Sequence, residues 1–138
     1  MFHKILVAVD GSQQSNAALA VAVDMAQHYG GSLLLLHAFP HVSDLLGMPQ
    51  YEYLLETRSA LGQRVLDSAQ ARVGGVVSFE TQLIEGPPAP AILRVAAEDR
   101  CDLIIIGSRG HGQLAGLLLG SVSSAVTQRA ECPVLIVH

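Results

Sequence analysis

Four short segments of the chain, residues 5–9, 33–36, 103–106 and Val134–Val137, are apolar at nearly every position. A strand that shows one face to a core alternates, whereas unbroken Val/Ile/Leu runs fit strands covered on both faces, as in parallel sheets. A fifth segment, 76–83, is more polar and alternates in part, with Val77, Phe79 and Thr81 on one face, which predicts an edge strand. Between these runs the apolar spacing becomes helical. Ser12 is placed to cap a helix running through His28, with Gly30 and Gly31 as its stop signal. Residues 51–72 set Leu54, Leu61, Val65 and Ala69 at helical spacing among charges, up to Gly74 and Gly75. A third helix is predicted over 89–99, after a proline-rich first turn, and a fourth over 121–131, where Pro133 then forces extension.

The order β-α-β-α-β-α-β-α-β implies right-handed crossovers. The predicted fold class is α/β: a doubly wound, five-stranded parallel sheet of order 3-2-1-4-5, in three α/β/α layers. Strand order then reverses between strands 1 and 4, and open α/β sheets bind ligands at the carboxyl ends of strands beside such a reversal. The loops after Val9 and Ile106 are thereby nominated as a site, with the loop after Leu36 bordering the same crevice.

Composition narrows the function classes. The 138 residues suit a single domain spanning 1–138, and half of them are hydrophobic, enough for a core without disulfides or metal. Eight Lys+Arg against twelve Asp+Glu, with no basic run, lack the footprint of a partner for nucleic acid or an anionic membrane. The longest apolar run, 17–23, is far short of a membrane span. Cys101 and Cys132 form no close-spaced pair and read as inert, partly buried thiols. Met1 leads straight into an apolar stretch without a charged leader, so a cytoplasmic location is the expectation.

The loop after Ile106 carries the chemistry. Five of the thirteen glycines fall between Gly107 and Gly120, where a backbone without Cβ can bring N–H groups close to an anion. Gly120 and the serines after it open a helix, whose first amides and dipole favour phosphate. Lys4 is the only lysine, so a P-loop, which needs Gly-Lys-Ser/Thr, is excluded. The turn Asp10-Gly11-Ser12 supplies one glycine where a Rossmann fingerprint needs three.

The spacing Gly107-x2-Gly110-x9-Gly120-Ser121 resembles the nucleotide-binding signature of the universal stress protein family, and the likeness extends to residues 5–12, 34–38, 102–107 and 132–137. That resemblance implies an adenine nucleotide α-hydrolase-like fold and a cofactor in the form of ATP, ADP or AMP. It further implies that Ala8 and Val9 line the adenine side and that Asp10 faces the ribose or phosphates. The backbone of Ala38 would recognise the adenine edge. Gly107, Gly110 and Gly120 would let the loop fold over the phosphates, with Ser121, Val122 and Ser123 at the helix start as donors. Arg109 and His111 fall inside the loop as further phosphate contacts.

Asp10 has two readings: an Asx turn that helps to start the following helix, or a ligand for Mg²⁺ or Mn²⁺ bridged to phosphate. A phospho-acceptor role is disfavoured, since the neighbouring acids and the late lysine it needs are missing. His37 and His41 do not share a helix face, and no Ser–His–Asp set is distinguishable. Residues 39–50 form a long loop positioned to move over the crevice. Leu114, Leu117, Leu118 and Leu119 are candidates for packing or a protein partner. The apolar last strand, Val134–Val137, invites antiparallel pairing into a homodimer, which the resemblance also implies. The expected function is an ATP-binding stress or signalling protein with at most slow hydrolysis. A slow ATPase or nucleotidyl-transfer enzyme is the alternative, and a dimerisation module without nucleotide the third reading.

Overall fold

The structure is a computed structural model that describes residues 1–109 and 119–138. Its strands are β1 (Lys4–Ala8), β2 (Ser32–Phe39), β3 (Phe79–Glu85), β4 (Leu103–Gly107) and β5 (Val134–Val137), and its helices α1 (Gln13–Tyr29), α2 (Gln50–Val73), α3 (Pro88–Glu98) and α4 (Ser121–Arg129). All strand pairs are parallel, in the order β3-β2-β1-β4-β5, as the alternation of elements predicts.

The unbroken apolar runs resolve into two faces. Ile5, Val7, Leu33, Leu35, Leu103 and Ile105 face α1 and α2, packing on Leu19, Ala22 and Leu66. Leu6, Leu34, Leu36, Ile104 and Ile106 face the other way, onto Ile92 and Val95 of α3 and Val126 of α4. A strand residue buried by either layer contributes about 1.5–3 kcal/mol, so a polar residue on either face would be unfavourable. This is why β4, and β1 from Ile5 onward, carry none.

The helices begin and end largely where local chemistry dictates. The Ser12 hydroxyl accepts from the Ser15 N–H at 3.2 Å, and Gly30 caps the far end of α1. Pro88 and Pro90 sit in the first turn of α3, where the missing N–H groups have no intrahelical acceptor anyway.

Three elements, β2, β3 and α4, depart from the sequence pattern by two or more residues. β2 runs on to Phe39, because His37, Ala38 and Phe39 pair with Leu83, Ile84 and Glu85 although a histidine interrupts the apolar run. β3 starts at Phe79 rather than 76, since its register begins opposite Leu33 and Val76 is left exposed. α4 stops at Arg129, where Ala130 is already extended. The segment expected as a long loop is shortened from both sides and contains a 3₁₀ turn at Asp44–Leu46. Arg58 of α2 ties it down, donating to the carbonyls of Pro40 and His41 at 3.3 and 2.9 Å. Among the described residues no helix is long and apolar enough to cross a membrane.

Candidate functional site

The carboxyl ends of β1, β2 and β4 open into a cleft of about 180 Å³ at the point where strand order reverses. Its first wall is the turn from β1 into α1. Asp10 Oδ1 accepts the Ser12 N–H at 2.9 Å, and the Asp10 N–H donates to Ser15 Oγ at 3.1 Å. Gly11, at φ 81°, supplies the left-handed residue that lets this Asx turn close. Asp10 therefore builds the turn and also lines the cleft, with Ala8 and Val9 beside it.

The second wall is the end of β2. Ala38 lines it, together with His37. His37 Nδ1 lies 2.7 Å from the Val9 carbonyl, and because a carbonyl only accepts, this nitrogen carries the proton. Gly62 of α2 packs against the same ring, where an added Cβ would come within 3.2 Å of His37 Cδ2. His41 turns away and pairs with Glu85 at 3.6 Å, so the two histidines do not converge.

The third wall combines the end of β4 with the start of α4. Gly107, Arg109, Gly120, Val122 and Ser123 all line the cleft, whereas Ser121 is exposed beside it. The first intrahelical bond of α4 runs from the Ser124 N–H to the Gly120 carbonyl at 3.0 Å. The amides of Ser121, Val122 and Ser123 precede it, and such first-turn donors have no acceptor within their own helix. Gly110 and His111 lie outside the described residues, as do Leu114, Leu117 and Leu118.

Two of these residues also have packing roles that the sequence did not signal. A Cβ on Gly107 would stand 2.9 Å from Gln14 Cβ and 3.0 Å from its carbonyl carbon, so this glycine lets the end of β4 pass under the first turn of α1. Ser123 is buried and its hydroxyl is committed to carbonyls, 2.8 Å from that of Ser108 and 3.2 Å from that of Gly120. The Ser108 carbonyl also accepts the Gly120 N–H at 2.6 Å, while the Ser108 N–H donates to Val137 at 2.8 Å. Ser108 thus clasps both ends of the glycine loop to the sheet, a role its variable place in the signature did not signal. Ser12, Ser15, Leu36, Pro88, Ile92 and Ile106 also line the cleft and were legible only as caps, core and helix entry.

The lone Lys4 sits at the far end of β1, 2.8 Å from Glu80 and 3.8 Å from Asp99, and takes no part in the cleft. The hydrogen bond to Glu80 raises its pKa. Burial pushes the Cys101 thiol up to about 11 and raises Cys132 as well, which leaves both largely protonated at neutral pH.

The family model described as "Universal stress protein family" matches residues 1–138. The chain belongs to the universal stress protein family. A universal stress protein of Thermus aquaticus is 43% identical over 138 residues, covering all of both chains. The solved structure of universal stress protein UspA from Lactobacillus plantarum superposes with a TM-score of 0.88 at 26% identity, covering 99% of this chain and 98% of that one. A universal stress protein solved in complex with cAMP matches with a TM-score of 0.73 at 28% identity, covering 99% and 97%.

Proposed function

We propose that this universal stress protein binds an adenine nucleotide, in the form of ATP, ADP or AMP, in the cleft at the ends of β1, β2 and β4. The observation that carries the reading is the opposition of two walls: first-turn amides of α4 on one side, and Ala8, Val9, Asp10 and Ala38 on the other. The first wall has the chemistry for phosphate and the second an apolar slot with backbone polar groups for a base. The complex of a similar universal stress protein with cAMP supports the same ligand class. Among the described residues no cluster of three or more His, Cys, Asp or Glu could hold a metal by itself. A single carboxylate, Asp10, fits Mg²⁺ or Mn²⁺ brought in on phosphate oxygens, which supply the remaining ligands.

In this reading the chain acts in the cytoplasm as a nucleotide-dependent stress or signalling module. Occupancy shifts the population of conformations that a protein partner meets. The edge strand β5, which among the described residues pairs only with β4, joins two copies antiparallel through Val134–Val137. Hydrolysis is at most slow, because no lysine stands near the cleft to stabilise phosphoryl transfer.

The test is to denature the purified protein and identify the nucleotide released. Intact ATP or AMP supports a holder, ADP indicates turnover, and a protein without nucleotide that also fails to bind added AMP, ATP or cAMP in calorimetry overturns the proposal. Light scattering at micromolar concentration reads the dimer; a monomer counts against pairing through β5.

A further inference from the structure

A second cavity, of about 310 Å³, opens at the opposite end of the sheet, where α3 and α4 finish. Leu93 and Ala96 of α3, Ile104 of β4 and the two cysteines give it an apolar floor, and Arg100 and Arg129 stand on its rim. The volume lies within the range of small-molecule sites, roughly 300–1,000 Å³.

Arg100, at φ 55°, is the non-glycine residue with positive φ among those described. It occupies the left-handed position after α3, bracketed by the bonds from Arg100 N–H to the Ala97 carbonyl at 3.3 Å and from Cys101 N–H to the Ala96 carbonyl at 2.9 Å. Glycine fills such a position without steric cost, so an arginine there is strained. Among the described residues neither Arg100 nor Arg129 has an ion-pair or side-chain hydrogen-bond partner. The nearby acids are engaged elsewhere: Asp99 with Lys4 and Gln82, and Asp102 with the backbone N–H groups of His3 and Lys4. Glu131 shares the rim but is not within ion-pair distance of either guanidinium, which leaves the cationic groups in excess there.

We infer that this cavity binds a small amphipathic anion, a monocarboxylate with an aliphatic or aromatic body. Its head group lies between the Arg100 and Arg129 guanidiniums and its body on the floor of Leu93, Ala96 and Ile104. Guanidinium forks match carboxylate geometry, and the floor removes the apolar body from water. The site is independent of the nucleotide cleft, although α4 borders both, with its first turn at one and Arg129 at the other.

Octanoate titrated into the full chain, followed by ¹H–¹⁵N NMR, tests the inference. The expected result is saturable shifts at the amides of Arg100, Cys101, Ala130 and Cys132, with octanol at least fivefold weaker. Arg129→Gln should weaken octanoate at least fivefold. Arg100→Gly should do the same while raising the melting temperature, so misfolding is not an available explanation. Shifts confined to residues 8–10 and 120–123, equal affinity for octanol, or unchanged affinity in both variants would overturn it.

Discussion

Replacing Gly107 with alanine adds one methyl group at the point where β4 meets α1. Gly107 is not in the left-handed region, so the backbone accepts alanine and the penalty is steric. The new carbon would meet Gln14 Cβ at 2.9 Å, its carbonyl carbon at 3.0 Å and its carbonyl oxygen at 3.1 Å. Two of these three are backbone atoms in the first turn of α1, and neither side yields easily. β4 is held between β1 and β5, with Gly107 opposite Val137, while Ser12 and the Asp10 turn anchor the start of α1. Overpacking of this kind costs about 1–3 kcal/mol, and with rigid backbone on both sides we expect about 2 kcal/mol. At an unfolding entropy of about 0.3 kcal/mol/K for a chain of this length, that lowers the melting temperature by roughly 7 °C. Calorimetry and urea titration of the nucleotide-free protein provide the measurement. A loss below about 0.5 kcal/mol, with nucleotide affinity nonetheless abolished, would show that this glycine serves phosphate approach instead of helix-to-strand packing.

Ser123→Ala removes the hydroxyl from the clasp but leaves the Ser108 carbonyl its bond to Gly120, so we expect a loss of about 1 kcal/mol, with an unchanged melting temperature as the refuting result. Asp10→Asn retains an acceptor for the Ser12 N–H; it should keep stability within about 0.5 kcal/mol yet remove the Mg²⁺ dependence of ATP affinity, and calorimetry with and without Mg²⁺ reads both. Gly120→Val should place a side chain at the mouth of the phosphate wall and abolish AMP binding with the circular dichroism spectrum preserved; retained affinity would count against the cradle. Burial holds Cys101 at about 11 against 9.0 in an unfolded chain, so the thiolate forms first in the unfolded state. Stability is then complete below pH 9 and falls as pH rises toward 11, with Lys4, raised by Glu80, adding to the loss above its ordinary 10.5. Urea midpoints that stay flat across this window would refute the burial argument.

Much of this molecule follows from local pattern. The four apolar runs had to be strands covered on both faces, the caps at Ser12 and Gly30 had to bound α1, and strict alternation of elements left few topologies other than 3-2-1-4-5. Topology in turn nominated the cleft, the glycine spacing pointed to its Gly107 and Gly120 wall, and the family resemblance implied Ala8, Val9, Asp10 and Ala38. These features depend on hydrophobic period, chain reversal and handedness, all of which act over one or two neighbouring elements. Asp10 shows where that reach ends: an Asx turn and a place in the cleft had been competing readings, and the folded chain gives it both.

The remaining features depend on atoms brought together from distant segments. His37 looked like an interruption in a strand until pairing with β3 carried β2 past it and set its ring against the Val9 carbonyl. Gly107 matched a phosphate motif, yet the contact that requires a missing Cβ comes from Gln14, on a helix at the other end of the sequence. Ser123 read as a phosphate donor, and its hydroxyl also clasps the Ser108 carbonyl. The second cavity had no motif at all, because Arg100, Arg129, Cys101 and Cys132 meet only when the ends of α3 and α4 lie beside the starts of β4 and β5. Sequence by itself determined the periodicities, and therefore the elements and their order. Tertiary structure decided which side chains approach within 3 Å, because that distance is set by the packing of elements that share no local pattern.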